Sequence, residues 1–210
     1  MNIRNTILLA TRNQGKIKEL VKMLAPFHLA VVGLEKFPDI EEIEETGKSF
    51  SENAILKASH AAERSGLVAV ADDSGLMVDA LDGAPGIYSA RFSAEYGVEA
   101  TDERNNQKLL SLIANVPSAE RTARFCSVIA AVAPDGDLIE TIGLWDGVIT
   151  MAPKGENGFG YDPLFLDPDL GLTAAEMSPY EKNQRSHRAR AMLALADIWP
   201  EFWARRLAMN

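Results

Sequence analysis

Hydrophobic positions along the 210-residue chain switch repeatedly between a strand-like and a helix-like period. The run TILLA, residues 6–10, is continuous and apolar, as a strand buried on both faces requires. Ile17, Leu20, Val21 and Leu24 then recur at helical spacing until Pro26. Leu29–Val32 predicts a second strand, and the acidic stretch 39–48 a loop. Phe50, Ala54, Ile55, Ala58, Ala61 and Ala62 line one helix face, with Ser49 or Ser51 as cap and Gly66 as stop. Asn53 and Lys57, four apart, share one side of that helix. Leu67, Val68 and Val70 predict a short strand that ends in Asp72 and Asp73, with Gly75 permitting a sharp exit.

The second half continues the alternation. A helix over 102–114 is capped by Thr101 and turns Leu109, Leu110 and Ile113 inward. Residues 122–133 predict a strand, Pro134–Asp137 a turn, Leu138–Trp145 its hairpin partner, and 147–151 a further strand. PKGENGFGYDPLF is too rich in Gly and Pro for regular structure. Ser178, Pro179 and Glu181 spell a capping box with proline at the first helical position. A longer helix begins near Ser186 and reaches Trp199–Pro200, followed by an amphipathic tail with Phe202, Trp203 and Leu207. The three aromatics suit a core or an interface. Intermixed helices and strands with an antiparallel hairpin predict an α/β fold: a mixed central sheet flanked by helices, in two lobes of one domain over 1–210. No GxGxxG follows the first strand, which disfavours a doubly wound dinucleotide fold.

Composition narrows the function. The net charge is −9 and the pI near 4.9, a poor basis for non-specific nucleic-acid binding, which relies on phosphate neutralisation by Lys and Arg. A small phosphorylated ligand needs only a local positive cluster, and charge here is unevenly spread. Asp39–Glu52 holds six acids against Lys48, whereas Lys182–Arg190 holds Lys182, Arg185, Arg188 and Arg190 with no acid after Glu181. The apolar runs are too short for a membrane span and the N-terminal one for a signal peptide. Cys126, the sole cysteine, sits in an apolar run. A cytoplasmic protein with a buried thiol is the expectation.

Four polar loci stand at element ends. TRNQGK, 11–16, joins a strand to a helix, so its amides suit an anion and Lys16 a phosphate, although the P-loop spacing is absent. Glu45 with Asp73, and with Asp72 as a third candidate, offers the hard oxygen ligands Mg²⁺ prefers. In GFGYDPLF, Phe159 or Tyr161 can stack on a heterocycle while Gly158 and Gly160 expose backbone to its edge. SHR, 186–188, opens a helix with donors for a phosphate or a base carbonyl, one short turn after Lys182. Ser74 adjoins the acids but lacks a nucleophile elbow, leaving a metal-activated water as the economical nucleophile.

In this order, LLATRNQGKIKEL, EETGKSFSENAILKA, ADDSGLMVDALDGAPGIYSARFS, GFGYDPLF and EKNQRSHRARAM resemble the inosine triphosphate pyrophosphatase family across residues 8–192. The resemblance implies an elongated two-lobed fold with a cleft between lobes, assembled as a homodimer. It implies Mg²⁺-dependent hydrolysis of nonstandard purine nucleoside triphosphates (ITP, dITP, XTP) to the monophosphate and pyrophosphate. A related enzyme preferring pyrimidine or modified bases is the alternative. By position, Thr11, Arg12, Asn13, Gln14, Gly15 and Lys16 fall on a triphosphate loop, although Arg12 stands where a small residue is also common. Glu45 and Asp73 fall on metal-associated acids, with Asp73 also the catalytic acid and Asp72 or Asp73 orienting the water. Ser74 falls on a substrate contact, and Asn53 and Lys57 on substrate-binding positions beside the cleft. Phe159, Gly160, Tyr161 and Asp162 fall on the base loop, and Lys182, His187 and Arg188 on further nucleotide contacts.

Overall fold

The computed structural model describes residues 5–41, 43–95 and 98–208; the side chains of Leu207 and Ala208 lie outside that set. Seven strands form one sheet in the order β2-β1-β3-β4-β5-β6-β7: β1 Thr6–Leu9, β2 Ala30–Gly33, β3 Val68–Val78, β4 Thr122–Val132, β5 Leu138–Ile149, β6 Phe165–Asp167 and β7 Leu172–Thr173. The helices are α1 Gln14–Leu24, α2 Phe50–Ser65, α3 Asp102–Leu112, α4 Pro179–Arg185 and α5 His187–Ala208. The predicted mixed α/β class holds: β1 pairs with β2 and β3 in parallel, while β6 pairs antiparallel with β5 and β7.

The chain gathers into two compact units, residues 1–73 with 127–143 and 188–210, and residues 74–126 with 144–187. The core of the first joins Ile7, Leu9, Val68 and Val70 to Leu20 and Leu24 of α1 and to Ala191, Leu195, Trp199 and Phe202 of α5. That of the second joins Leu76, Leu109, Phe125, Trp145, Tyr161 and Phe165. Strand patterns follow burial. Nearly every β4 residue is buried, whereas β5 alternates buried and exposed positions, as a strand with one solvated face does.

Local signals set most element ends. Ser49, not Ser51, caps α2 by accepting from Glu52 N, and Gly66 closes it at φ 68°. Thr101 caps α3, and the Ser178–Glu181 capping box forms with both of its bonds. Three expectations fail. β3 does not leave the sheet at Gly75 but runs on to Val78. Glycine is needed there for contact instead: a Cβ would lie 2.3 Å from Ser89 Oγ and 2.5 Å from the Gly86 carbonyl oxygen. β5 is one strand where two were expected. Helix α5 passes through Pro200, because Trp199 and Phe202 on either side are both buried in the core and outweigh one lost backbone bond. These two aromatics are therefore core residues, and Trp203 stacks on Trp199.

Candidate active site

Asp72 and Asp73 lie within β3, so their side chains leave opposite faces of the sheet. Asp72 is in phase with Val68 and Val70, which face α1 and α5. Its carboxylate meets Lys16 of α1 at 2.8 Å, Arg188 of α5 at 3.4 Å and the Ser127 hydroxyl of β4 at 2.5 Å. Arg188 also pairs with Glu19, one turn beyond Lys16 on α1. Burial raises the pKa of a carboxyl, yet Arg188, Lys16 and Ser127 together outweigh it and hold Asp72 far below the ordinary carboxylate range. Asp72 is a fixed anion.

Asp73 faces α2. Its Oδ1 accepts from Lys57 Nζ at 2.7 Å and its Oδ2 from Asn53 Nδ2 at 3.3 Å. Lys57 Nζ also donates to Glu45 Oε1 at 3.0 Å. Burial pushes the Asp73 pKa up, Lys57 and Lys16 pull it down, and the charge of Glu45 adds to the rise; the net shift is upward. Lys57 itself is raised: burial opposes its charge, but Asp73 and Glu45 outweigh the cost. The two lysines converge from different helices on one atom, for Lys16 Nζ and Lys57 Nζ both lie within 3.3 Å of the Asp72 carbonyl oxygen.

Glu45 and Asp73 thus turn carboxylate oxygens towards the same small volume, where the Lys57 ammonium sits as a monovalent stand-in. An all-oxygen pair fits a hard divalent cation that takes its remaining ligands from water and phosphate. Among the described residues no cluster of three or more His, Cys, Asp and Glu side chains forms a complete metal cage.

The loop before α1 is built from its own side chains. Thr11 Oγ1 accepts from Asn13 N, Asn13 caps the helix by accepting from Lys16 N, and Gln14 reaches back to the Arg12 carbonyl. Arg12 donates to the Ile40 carbonyl at 3.1 Å. Gly15 follows in the first turn of α1, and Ser74 is half-buried on β3.

In the second unit, Asp162 accepts from Lys182 Nζ of α4 at 2.6 Å and from Phe159 N, within its own loop, at 2.9 Å; Gly158 and Gly160 in that loop take positive φ. Lys182 Nζ stands 5.2 Å from the Phe159 ring centroid. The structure separates the two aromatics. Tyr161 is buried and donates its hydroxyl to the Ser89 carbonyl at 2.9 Å, its pKa raised by burial and then by Asp102. Phe159 stays half-buried. Gly160 is held at both backbone groups, by Asp102 Oδ2 and Asn106 Nδ2. His187 is buried and stacks on Phe125 at 4.7 Å.

Glu19 and Ser127 escaped the sequence reading. Glu19 lies three residues after Lys16, on the same helix face. Ser127 is a hydroxyl inside the apolar run FCSVIAAVA, where burial demands a partner.

Comparison with known proteins places the chain. Residues 7–198 match the model of the Ham1 family. The dITP/XTP pyrophosphatase of Nitratidesulfovibrio vulgaris is 54% identical over 201 residues, covering 94% of this chain and 97% of that one. A solved HAM1 protein from Coxiella burnetii superposes with a TM-score of 0.84 at 40% identity, covering 93% of this chain and 98% of that one. A nucleoside-triphosphatase, or dITP/XTP pyrophosphatase, from Mycobacterium abscessus gives a TM-score of 0.74 at 44% identity, covering 90% and 97%.

Proposed function

Since the chain belongs to the Ham1 family, we propose that it is a nucleoside triphosphate pyrophosphatase acting on nonstandard purine nucleotides. Water attacks the α-phosphorus of dITP, XTP or ITP, the α–β phosphoanhydride bond breaks, and the monophosphate and pyrophosphate leave. The observation that carries this reading is the convergence of Lys16 and Lys57 on the Asp72–Asp73 step, beside two carboxylates. A polyphosphate is the ligand class that needs cations and a carboxylate base in one place.

The roles divide by chemistry. Asp73 is the base that orients the water and takes its proton, because Asp72 is held by Lys16, Arg188 and Ser127 whereas Asp73 faces Lys57 and Glu45. Glu45 and Asp73 would hold Mg²⁺. Such an ion, when bound, neutralises phosphate oxygens and acidifies a water. Lys16 and Lys57 offset the charge on phosphate and leaving group, with Thr11–Gly15 supplying loop amides. The base falls to Phe159, which offers a ring face, and to Lys182 and His187, which offer donors. A donor matched to the purine 6-oxo group leaves the adenine amino group unpaired, at a cost of roughly 1–3 kcal/mol. A cytoplasmic homodimer completes the proposal, and light scattering tests the dimer.

The test is a panel of nucleoside triphosphates with Mg²⁺, resolving monophosphate from diphosphate products. We expect dITP and XTP to be cleaved to monophosphate and pyrophosphate, with ATP and GTP disfavoured. Diphosphate and orthophosphate as products, or preferential cleavage of dTTP and UTP, would overturn the proposal.

A further inference from the structure

Asn53 is completely buried, one helical turn before Lys57, and its side chain is used at both ends. Oδ1 accepts from the Gly47 backbone N–H at 2.8 Å, and Nδ2 donates to Asp73 Oδ2 at 3.3 Å. A backbone N–H only donates, so Gly47 dictates which end of the amide is oxygen and leaves the NH₂ for the carboxylate. With Oδ2 held in this way, Asp73 keeps Oδ1 for the Lys57 ammonium that Glu45 shares.

The loop carrying Glu45 is fastened at the same point. Gly47 packs so tightly that a Cβ would lie 2.5 Å from Asn53 Oδ1 and 3.0 Å from Asn53 N. The neighbouring Glu52 accepts from Lys48 N at 2.7 Å, so two consecutive loop amides are bound by two consecutive side chains of α2. Glu45 sits two residues before this clamp.

We infer that Asn53 is a positioning residue: its amide ties the Glu45 loop to Asp73 and sets the spacing of the two carboxylates, without touching the nucleotide. The inference rests on the reading of Glu45 and Asp73 as the Mg²⁺ ligands.

Mn²⁺ binding to the nucleotide-free protein, followed by electron paramagnetic resonance, is the direct test. Asn53→Ala weakens Mn²⁺ binding by at least about tenfold, the scale seen when groups supporting a metal ligand are removed. At saturating Mg²⁺ the KM for dITP stays within about threefold. Gly47→Ala presses on the same amide without altering its chemistry and weakens Mn²⁺ binding in the same direction, so a folding failure of one variant leaves the other decisive. A raised KM with wild-type Mn²⁺ affinity makes Asn53 a nucleotide contact and overturns the inference. A lowered melting temperature with unchanged Mn²⁺ affinity also overturns it, since packing alone explains that result. Wild-type protein that neither binds Mn²⁺ nor needs a divalent cation for turnover refutes the metal reading itself. Normal wild-type binding with both variants unaffected refutes only the role of Asn53.

Discussion

Replacing Asp72 with asparagine keeps the shape of a buried side chain and deletes its charge. Two cations lose their shared anion, Lys16 at 2.8 Å and Arg188 at 3.4 Å. At an effective dielectric constant of about 20, those separations correspond to gross attractions of roughly 6 and 5 kcal/mol. Most of this is offset by the cost of burying the three charges. What the substitution leaves is an uncompensated guanidinium, for the Arg188 side chain is only 2% exposed. Breaking a buried pair from one side typically costs about 3–5 kcal/mol. Glu19 still holds one end of Arg188, and an asparagine oxygen can accept from Ser127 or Lys16, which favours the lower end. For a chain of this size the melting temperature falls by roughly 2–4 °C per kcal/mol, so a drop of about 10 °C is expected. Urea unfolding of Asp72→Asn, followed by far-ultraviolet circular dichroism, measures the free energy directly. Adding Arg188→Met recovers part of the loss, because it removes the most deeply buried charge and leaves Lys16 and Glu19, which are only partly buried. A single variant within about 1 kcal/mol of wild type, or a double variant whose losses simply add, refutes the account of Asp72 as a structural anion.

Asp73→Asn should lower the kcat for dITP by about 10²–10⁴, the range for loss of a general base, while the melting temperature holds; retained turnover removes Asp73 from the chemistry. Gly75→Ala should destabilise by about 1–3 kcal/mol, since its methyl group meets the Gly86 carbonyl oxygen 2.5 Å away, and an unchanged unfolding midpoint argues against the close approach. On the surface, the Arg205 hydrogen bond holds Asp137 below its ordinary pKa. The folded value lies below the unfolded one, so this stabilisation is complete above about pH 4 and fades as pH falls through the folded value. Unfolding midpoints of Arg205→Gln measured from pH 6 to pH 3 should therefore decline less steeply than those of wild type.

Helices were the most legible part of the sequence, because their ends carry chemical labels. Ser49, Thr101 and Ser178 each cap the helix they precede, and Gly66 stops α2. Strand extent was harder to read. Gly75 and Pro200 are ordinary signs of interruption, yet here one serves close packing and the other is carried through by neighbouring aromatics. At the site, the resemblance named Lys16, Glu45, Lys57 and Asp73, which the fold brings together. It did not show which of two adjacent aspartates is a pinned anion. That depends on Ser127 and Arg188, 55 and 116 residues away, and no local pattern encodes such partners. The choice between Phe159 and Tyr161 likewise turned on a distant acceptor, the carbonyl of Ser89.

The pairing of Ile7 with Val68 and of Leu9 with Val70 has a consequence for anyone rebuilding this protein. Deleting Ala71, the one residue between that ladder and Asp72, would turn each acid to the other face of the sheet: Asp73 would meet the guanidinium, and Ser74 would stand where the base belongs. Every side chain needed for chemistry would still be present in such a variant, and the enzyme would be dead. Frame, and not inventory, is what the first parallel ladder protects.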